Sequence, residues 1–360
     1  MTTPARRSSS GAFSAADHVQ AAGDALAHRY GTKPADLHPL AEGLIRGEPF
    51  SLQDAADVCL EAAGHRLEAS WDPYRTILAA MTTATYPALL EQTWRGVAEA
   101  RRSPQLEKLL ALTAQLEVKD YRAQSFSMVD LGGLEAPNQF SSGEFLIASP
   151  VVTGEPIQTY STFVQIAVSR QALQNDDRNL IRSAISAFLR SAHSAEMTRL
   201  VQILQSNANL QDGSPLFHDD HGNQVTAAAV DATSLAAAMR KLRDSRTEGG
   251  DRTDADPYAL LVGSEAEGPA LVEVQKFPEA NRPRVIATAH IQAANEWYLF
   301  AAPDTFPVIG RTRLEGAALS CVSFGSFETD DTSPGVLIPA THSVGYSVLS
   351  RVGAVRVGGE

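Results

Sequence analysis

Between Tyr121 and Ser206 the chain changes character once, and sharply. Up to about residue 170 this stretch has almost no helical periodicity and no lysine, and a structureless connection of that length is uncommon inside a compact domain. Turn signals at Gly132-Gly133, Pro137-Asn138, Ser141-Ser142-Gly143 and Gly154-Glu155-Pro156 break it into short pieces. Between them lie strand-like runs, Phe145–Ile147 and Tyr160–Val168. The second sets Tyr160, Thr162, Val164, Ile166 and Val168 on one face, a period of two. A long two-stranded hairpin with a loose tip fits this pattern. Isolated hairpins are marginal in water, so this one needs a surface to lie on. From Asn175-Asp176-Asp177 the period becomes helical: Leu180, Ile181, Ala184, Ile185, Phe188, Leu189, Ala192, Leu200, Val201 and Leu204 mark an apolar side, and no Pro or Gly interrupts residues 176–206. Asn175 or Asp176 is placed to cap this helix, where acids also favour its positive end. A projecting arm on a rigid spine suits a protein that associates with copies of itself.

The chain has 360 residues, enough for two or three packed units, and 44% hydrophobic against 20% charged residues is a globular balance. A net charge of -12 argues against a surface built to grip nucleic acid, though not against one that sits near it without sticking. Two cysteines, Cys59 and Cys321, are too few for a disulfide framework and fit a reducing cytoplasm. No run reaches the ~18 apolar residues of a membrane helix. Met1–Gly11 lacks the apolar core of a secretory signal and reads as disordered over residues 1–10.

Residues 15–68 are helical but broken by Gly and Pro, with the best helix starting at Ser51 and Asp54 at the capping-box position. Residues 74–116 read as further helix, with starts marked by Pro87 and Pro104. After Asp231 a helix at 231–245 is followed by a loop and a buried strand, Tyr258–Val262. A short helix at 265–274 and strands near 284–291, 296–301, 317–327 and 341–357 complete an α+β pattern.

His218-Asp219-Asp220-His221 is the one run of metal-ligand types. Adjacent side chains point apart, whereas catalytic zinc sites space helical ligands to share a face, and no second cluster completes a shell. A polar turn is the better reading; a metal-dependent hydrolase built on His218 and His221 is the alternative from another class. There is no Gly-x-Ser-x-Gly elbow and no phosphate-binding glycine loop. Cys59 and Cys321 read as core residues, and Trp71, Tyr74, Tyr86 and Trp94 as core or contact aromatics. Arg178, Arg182, Arg190 and Arg199 lie along the long helix, either as a solvated face or as a landing strip for an acidic arm.

Several segments, in order, resemble the major capsid proteins of tailed bacteriophages with the Hong Kong 97 fold, most closely the Mu-like branch associated with a Clp-type prohead protease. Met81-Thr-Thr-Ala-Thr-Tyr-Pro-Ala-Leu-Leu90 is similar to that branch's TTSDFPxLL segment. Ile166-Ala-Val-Ser-Arg-Gln-Ala-Leu-Gln-Asn-Asp-Asp177 is similar to its ISRQALxNDD, Pro215–Asn223 to PLFHADHGN, and Asn295–Phe300 to a recurrent WYL strand. The resemblance covers about residues 50–357.

The resemblance implies the Hong Kong 97-type division. A helical or disordered, scaffold-like segment would occupy 1–69, an N-terminal arm 70–120 and an extended loop 121–170. A peripheral domain with the spine helix would occupy 171–224 and 311–360, and an axial domain 225–310. It also implies a self-assembling head protein forming hexamers and pentamers around double-stranded DNA, with no catalytic residue, cofactor or metal and no membrane. Its partners would be itself, the portal, a scaffold or prohead protease, and decoration proteins, in a virion assembled in the bacterial cytoplasm. An encapsulin-like or gene-transfer-agent shell is the alternative within this fold. The founding member cross-links its shell through a loop lysine and a neighbour's asparagine, but this chain has no lysine between Lys119 and Lys241, so no such linkage is expected. The expected assembly contacts are the acids Asp130, Glu135 and Glu144 of the loop with a neighbour's Arg178, Arg182 or Arg190.

Overall fold

The structure is a computed structural model. It describes residues 13–32, 37–46, 50–66, 71–101, 103–126, 128–130, 151–175, 178–227, 229–293, 295–317, 321–325, 328–329 and 335–358. The expected disorder at 1–10, the Phe145 run, Glu135, Glu144 and the Asp176 cap lie outside them.

The chain opens with helices α1 (Ala15–Arg29), α2 (Pro39–Ile45), α3 (Leu52–Ala62), α4 (Pro73–Met81) and α5 (Thr85–Ala100). Local chemistry sets their starts. Ser51 and Asp54 form the expected reciprocal box on α3, Ser14 and Asp17 repeat it on α1, and proline opens α2 and α4. Helix α6 (Pro104–Leu110) then stops, and β1 (Thr113–Val118) follows where helix was expected to continue to 116. The reason is a partner far along the chain: β1 pairs in parallel with a strand around Ile309–Leu314, which local periodicity cannot reveal.

Strands β2 (Gln124–Ser125) and β3 (Met128–Asp130) run antiparallel to β5 (Pro156–Ile157) and β4 (Val151–Thr153), so a hairpin forms, but without the alternating run Tyr160–Val168 that was expected in it. Strand β6 (Tyr160–Ser169) and the short helix α7 (Arg170–Gln174) lead to α8 (Arg178–Ser206). At 29 residues α8 extends about 43 Å. Then come β7 (Gln224–Val225), α9 (Ala232–Asp244), β8 (Ala259–Gly263), α10 (Glu267–Val274), β9 (Arg284–Thr288) and β10 (Trp297–Phe300). The chain ends through β11 (Ile309–Leu314), β12 (Val322–Phe324), β13 (Glu328–Thr329), β14 (Gly335–Val348) and β15 (Ala354–Val357).

Two compact units result. The first comprises residues 1–102, 162–189 and 318–342. In it α1 packs on α2, α3 and α5, and α3 on α4. Trp94 and Tyr30 are fully buried and meet edge to face at 4.8 Å, while buried Tyr86 donates to Leu52 O at 3.2 Å. Each such side chain contributes about 1.5–3 kcal/mol of burial energy. Cys59 joins this core, and burial pushes its thiol up to about 11, well away from a nucleophile. Ile181, Ile185 and Leu189 of α8 are buried, but Leu180, expected on the apolar side, is half exposed. Strands β12 and β13 run antiparallel to the first part of β14.

The second unit comprises residues 103–161, 190–317 and 343–360. Its larger sheet has the order β7-β15-β10-β8-β9. Both faces are covered, so β10 reads as an unbroken apolar run: Trp297 and Leu299 join one core with Leu235 and Leu242 of α9, and Tyr298 and Phe300 join another with Leu200 and Leu204 of α8. Strand β15 lies inside this sheet, which therefore draws strands from both sides of the expected 310/311 boundary. A second ladder pairs β1 with β11 and β11 with the end of β14.

Candidate assembly site

The root of the hairpin is fastened to the second unit by short polar contacts. Thr159 Oγ1 donates to Thr312 Oγ1 of β11 at 2.7 Å, and Ser347 Oγ of β14 donates to Pro156 O at 2.9 Å. Ser161 Oγ lies 2.6 Å from Ser343 Oγ and 3.1 Å from Tyr121 Oη. The loop after α8 also takes hold of it: Gln211 donates its N–H to Glu155 Oε1 at 2.7 Å and its amide to Gly154 O at 2.9 Å. That loop is stiffened by Asn207, whose side chain exchanges two hydrogen bonds with the Phe217 backbone at 2.7 and 3.0 Å.

Beyond the root, β6 behaves unlike a core strand. Its alternating face was expected to find cover, yet Tyr160 and Val164 are exposed, Phe163 is 60% exposed, and of its ten residues Val168 alone is buried. Alternation fixes which residues share a face; it does not require the same chain to supply the cover.

The spine arginines are not equivalent. Arg199 lies 5.2 Å over the Tyr160 ring, a cation–π contact within the chain. Arg190 is exposed. Arg182 is half-buried beside Gly31, and desolvation together with the Arg182 charge lowers the Arg101 guanidinium from its usual range. Arg101 also donates to Ser186 Oγ. Among the described residues no carboxylate pairs with Arg101 or Arg182. Asp130 ends β3, and the side chain of Arg178, like those of Glu135 and Glu144, lies outside the described residues.

Deeper in the second unit, Arg311 of β11 donates Nε to Glu196 Oε2 of α8 at 2.9 Å and a terminal nitrogen to Gln115 Oε1 of β1 at 3.1 Å. Tyr346 Oη of β14 donates to the same carboxylate at 2.5 Å. Arg311 and Glu196 are each 1% exposed. This buried network ties the spine helix to three strands.

The histidine run forms a turn. His221 places Nε2 2.9 Å from Asp212 Oδ2 and Nδ1 3.1 Å from Leu216 O, so both ring nitrogens are engaged by the chain. Burial alone would raise the Asp212 carboxyl, but the Ser214 N–H, His221 and Arg351 together hold it below its ordinary value. His218 accepts from the Asp220 N–H at 3.2 Å. No group of three metal-ligating side chains occurs among the described residues. His218 and His221 serve the local turn.

A phage capsid protein family model matches residues 164–356, from β6 through the spine helix to β15. The chain belongs to this phage capsid family. The crystal structure of a phage-related protein from Bordetella bronchiseptica is similar at TM-score 0.50 and 12% identity, covering 73% of this chain and 94% of that one. The head structure of Helicobacter pylori bacteriophage KHP40 gives 0.48 at 10% identity, covering 68% and 87%. The capsid of a native GTA particle gives 0.47 at 14%, covering 71% and 90%. No curated protein sequence matches the chain. The α+β fold of Hong Kong 97 capsid type expected from the sequence stands, and the protein is a capsid shell protein.

For a capsid protein the partner is another copy and the location is the virion. No helix among the described residues is long and apolar enough to cross a membrane. Sequence reasoning passed over the residues that anchor the arm of this capsid protein, Thr159, Ser161 and Gln211, because each is an ordinary polar residue outside any motif. Arg311 left no local signal, since Gly310 and Thr312 flank it and Arg313 two positions on makes the run read as a solvated strand face.

Proposed function

We propose that this capsid protein closes into hexamers and pentamers of an icosahedral head around double-stranded DNA, by association rather than catalysis. The observation that carries the reading is the family match from β6 to β15, which spans the spine helix and the strands that hold the arm's root. On this reading 70–120 is the N-terminal arm, 121–170 the extended loop, 171–224 with 311–360 the peripheral domain and 225–310 the axial domain, with 1–69 a scaffold-like segment. Portal, scaffold or prohead protease and decoration proteins are the further partners, and assembly takes place in the bacterial cytoplasm. A net charge of -12 suits a wall that faces DNA without binding it. Expression followed by electron microscopy tests this: closed shells are the expected result, and a monomer that never assembles would sink it. Shells boiled in SDS should release only the 38.5 kDa chain, because the loop offers no lysine for an isopeptide bond; a covalent ladder would contradict this.

The arm is acidic in sequence and β6 is exposed, whereas Arg101, Arg182 and Arg190 pair with no acid among the described residues. This supports pairing of Asp130, Glu135 and Glu144 with a neighbour's Arg178, Arg182 or Arg190. Each exposed pair contributes about 0–1 kcal/mol and is screened by salt, so repetition over the lattice carries the effect. Shells of Glu135→Lys or Glu144→Lys subunits should dissociate at lower salt than wild type; identical salt profiles would rule the pairing out.

A further inference from the structure

The larger sheet of the second unit has β7 and β9 as its edge strands, and two helices share one of its faces. Helix α9 lies over β7, β15 and β10, while α10 lies over β8 and β9, so the two helices mark opposite lateral edges of one domain.

At the β9 edge α10 points apolar side chains both ways. Ala270 and Val274 are buried against the sheet, but Leu271 is 47% and Val272 60% exposed. Two adjacent large apolar residues left in water on an outward helix face mark an interaction surface more than a core that failed to close. Glu265 and Glu267 flank this face, are exposed, and have no ion-pair partner among the described residues.

At the β7 edge lies a cleft of about 680 Å³, formed by the 220–222 turn, the last turn of α9, the 245–250 loop and Arg351. Two of its carboxylates are already engaged. Glu248 takes Nε and a terminal nitrogen of Arg351 at 2.7 and 3.0 Å, and Asp244 lies 3.7 Å from Arg252, while Asp220 is exposed at the rim. Arg240 and Lys241 line the same cleft and pair with no carboxylate among the described residues. One edge thus offers an apolar knob with acids, and the other a recess with cations, that pair with nothing among the described residues.

We propose that the α10 face of one copy docks against the α9-side edge of the next, Glu265 and Glu267 meeting Arg240 and Lys241 in the cleft while Leu271 and Val272 are covered beside it. The occupant is a second copy of this chain, because the complementary charge sits on the opposite edge of the same domain. Two different patches meeting head to tail form a heterologous contact, the type that repeats into rings. This rests on the shell reading and adds which surfaces close the ring and with which polarity.

The test compares wild type with Leu271→Asp/Val272→Asp, Glu267→Lys, Arg240→Glu and the combined Glu267→Lys/Arg240→Glu. Rings and shells are counted on gradients and by native mass, with thermal melts to confirm folded subunits. A like-charge juxtaposition should reduce assembled protein by at least about tenfold in each single-charge variant, and the apolar variant should lose as much because the buried Leu271 and Val272 surface is gone. The combined reversal recreates the pair in swapped form at every contact, so assembly should return. If wild type assembles and Glu267→Lys and Arg240→Glu assemble equally well, the contact is wrong while the shell reading survives. If the charge variants fail but their combination does not recover, the pairing is wrong. A wild type that forms neither rings nor shells would overturn the shell reading itself. Because the charge variants change only surface residues, they decide the matter even if the double aspartate variant does not fold.

Discussion

Arg311→Met should destabilise the capsid protein by about 3–5 kcal/mol, because it strands a buried carboxylate. Glu196 is 1% exposed and has its Oε2 in contact with both Arg311 and Tyr346. Without the guanidinium, the carboxylate has no water to turn to. Tyr346 cannot stand in for it: burial first, and the neighbouring Glu196 charge second, push its hydroxyl well above its ordinary value, so it remains a neutral donor. Glu196→Gln should cost less, since an amide keeps an acceptor for both donors and removes only the charge that faces the Arg311 guanidinium. Removing both charges together, in Glu196→Gln/Arg311→Met, should cost less than the sum of the single changes, because each single change leaves the other charge facing a neutral group. Urea unfolding of the four proteins, followed by a signal from the second unit, gives the cycle. Strict additivity would mean that the two groups are not coupled and the network contributes only packing.

That network marks the line between what is readable in the sequence and what is not. The spine helix is legible because burial recurs along one stripe, Ile181, Ile185, Leu189, His193, Glu196, Leu200 and Leu204, at steps of three and four. Its apolar members belong to that pattern; Glu196 does not announce itself, because its burial depends on an arginine more than a hundred positions later. The same cause hid β1. Thr113–Leu116 continues a helical region by composition, and pairing with Ile309–Thr312 overrides local preference. Caps were readable because their chemistry closes within four residues, as Ser51 and Asp54 do. Turn signals announced a hairpin, but the alternating run expected in it is β6, which pairs with β14, and the root was hidden because Gln211 reaches Gly154 and Glu155 across a turn with no distinctive composition. The candidate contacts were legible as charge and exposure only. A single chain can present Phe163 or Val272 to water, and nothing in its own sequence says which copy covers them.

Gly345→Ala should be the most damaging single methyl in the second unit. Gly345 lies in β14 opposite Thr312, and Thr312 is fully buried. A Cβ there would overlap the Gln158 carbonyl oxygen and lie 2.6 Å from Thr312 Oγ1. Neither obstacle is the free end of a flexible side chain. Gln158 is backbone at the root of the arm, and Thr312 Oγ1 is held by Thr159. Something in the β11–β14 ladder or the arm root must move, and overpacking of this kind costs about 1–3 kcal/mol or more. The damage should be directional. Displacing residues 156–161 breaks the Thr159–Thr312, Ser161–Ser343 and Ser347–Pro156 contacts together, so the arm should loosen before the sheet unfolds. Limited proteolysis should cut Gly345→Ala near residues 154–161 faster than wild type under native conditions, and assembled shells should be fewer. Gly43→Ala is the matched control, because no atom lies within 4 Å of a Cβ at that helical position. Exchanging glycine for alanine inside a helix should stabilise by about 0.5–1 kcal/mol. Were Gly345→Ala to melt with wild type and resist cleavage equally, the close approach of Gln158 to β14 would not be what fixes the arm.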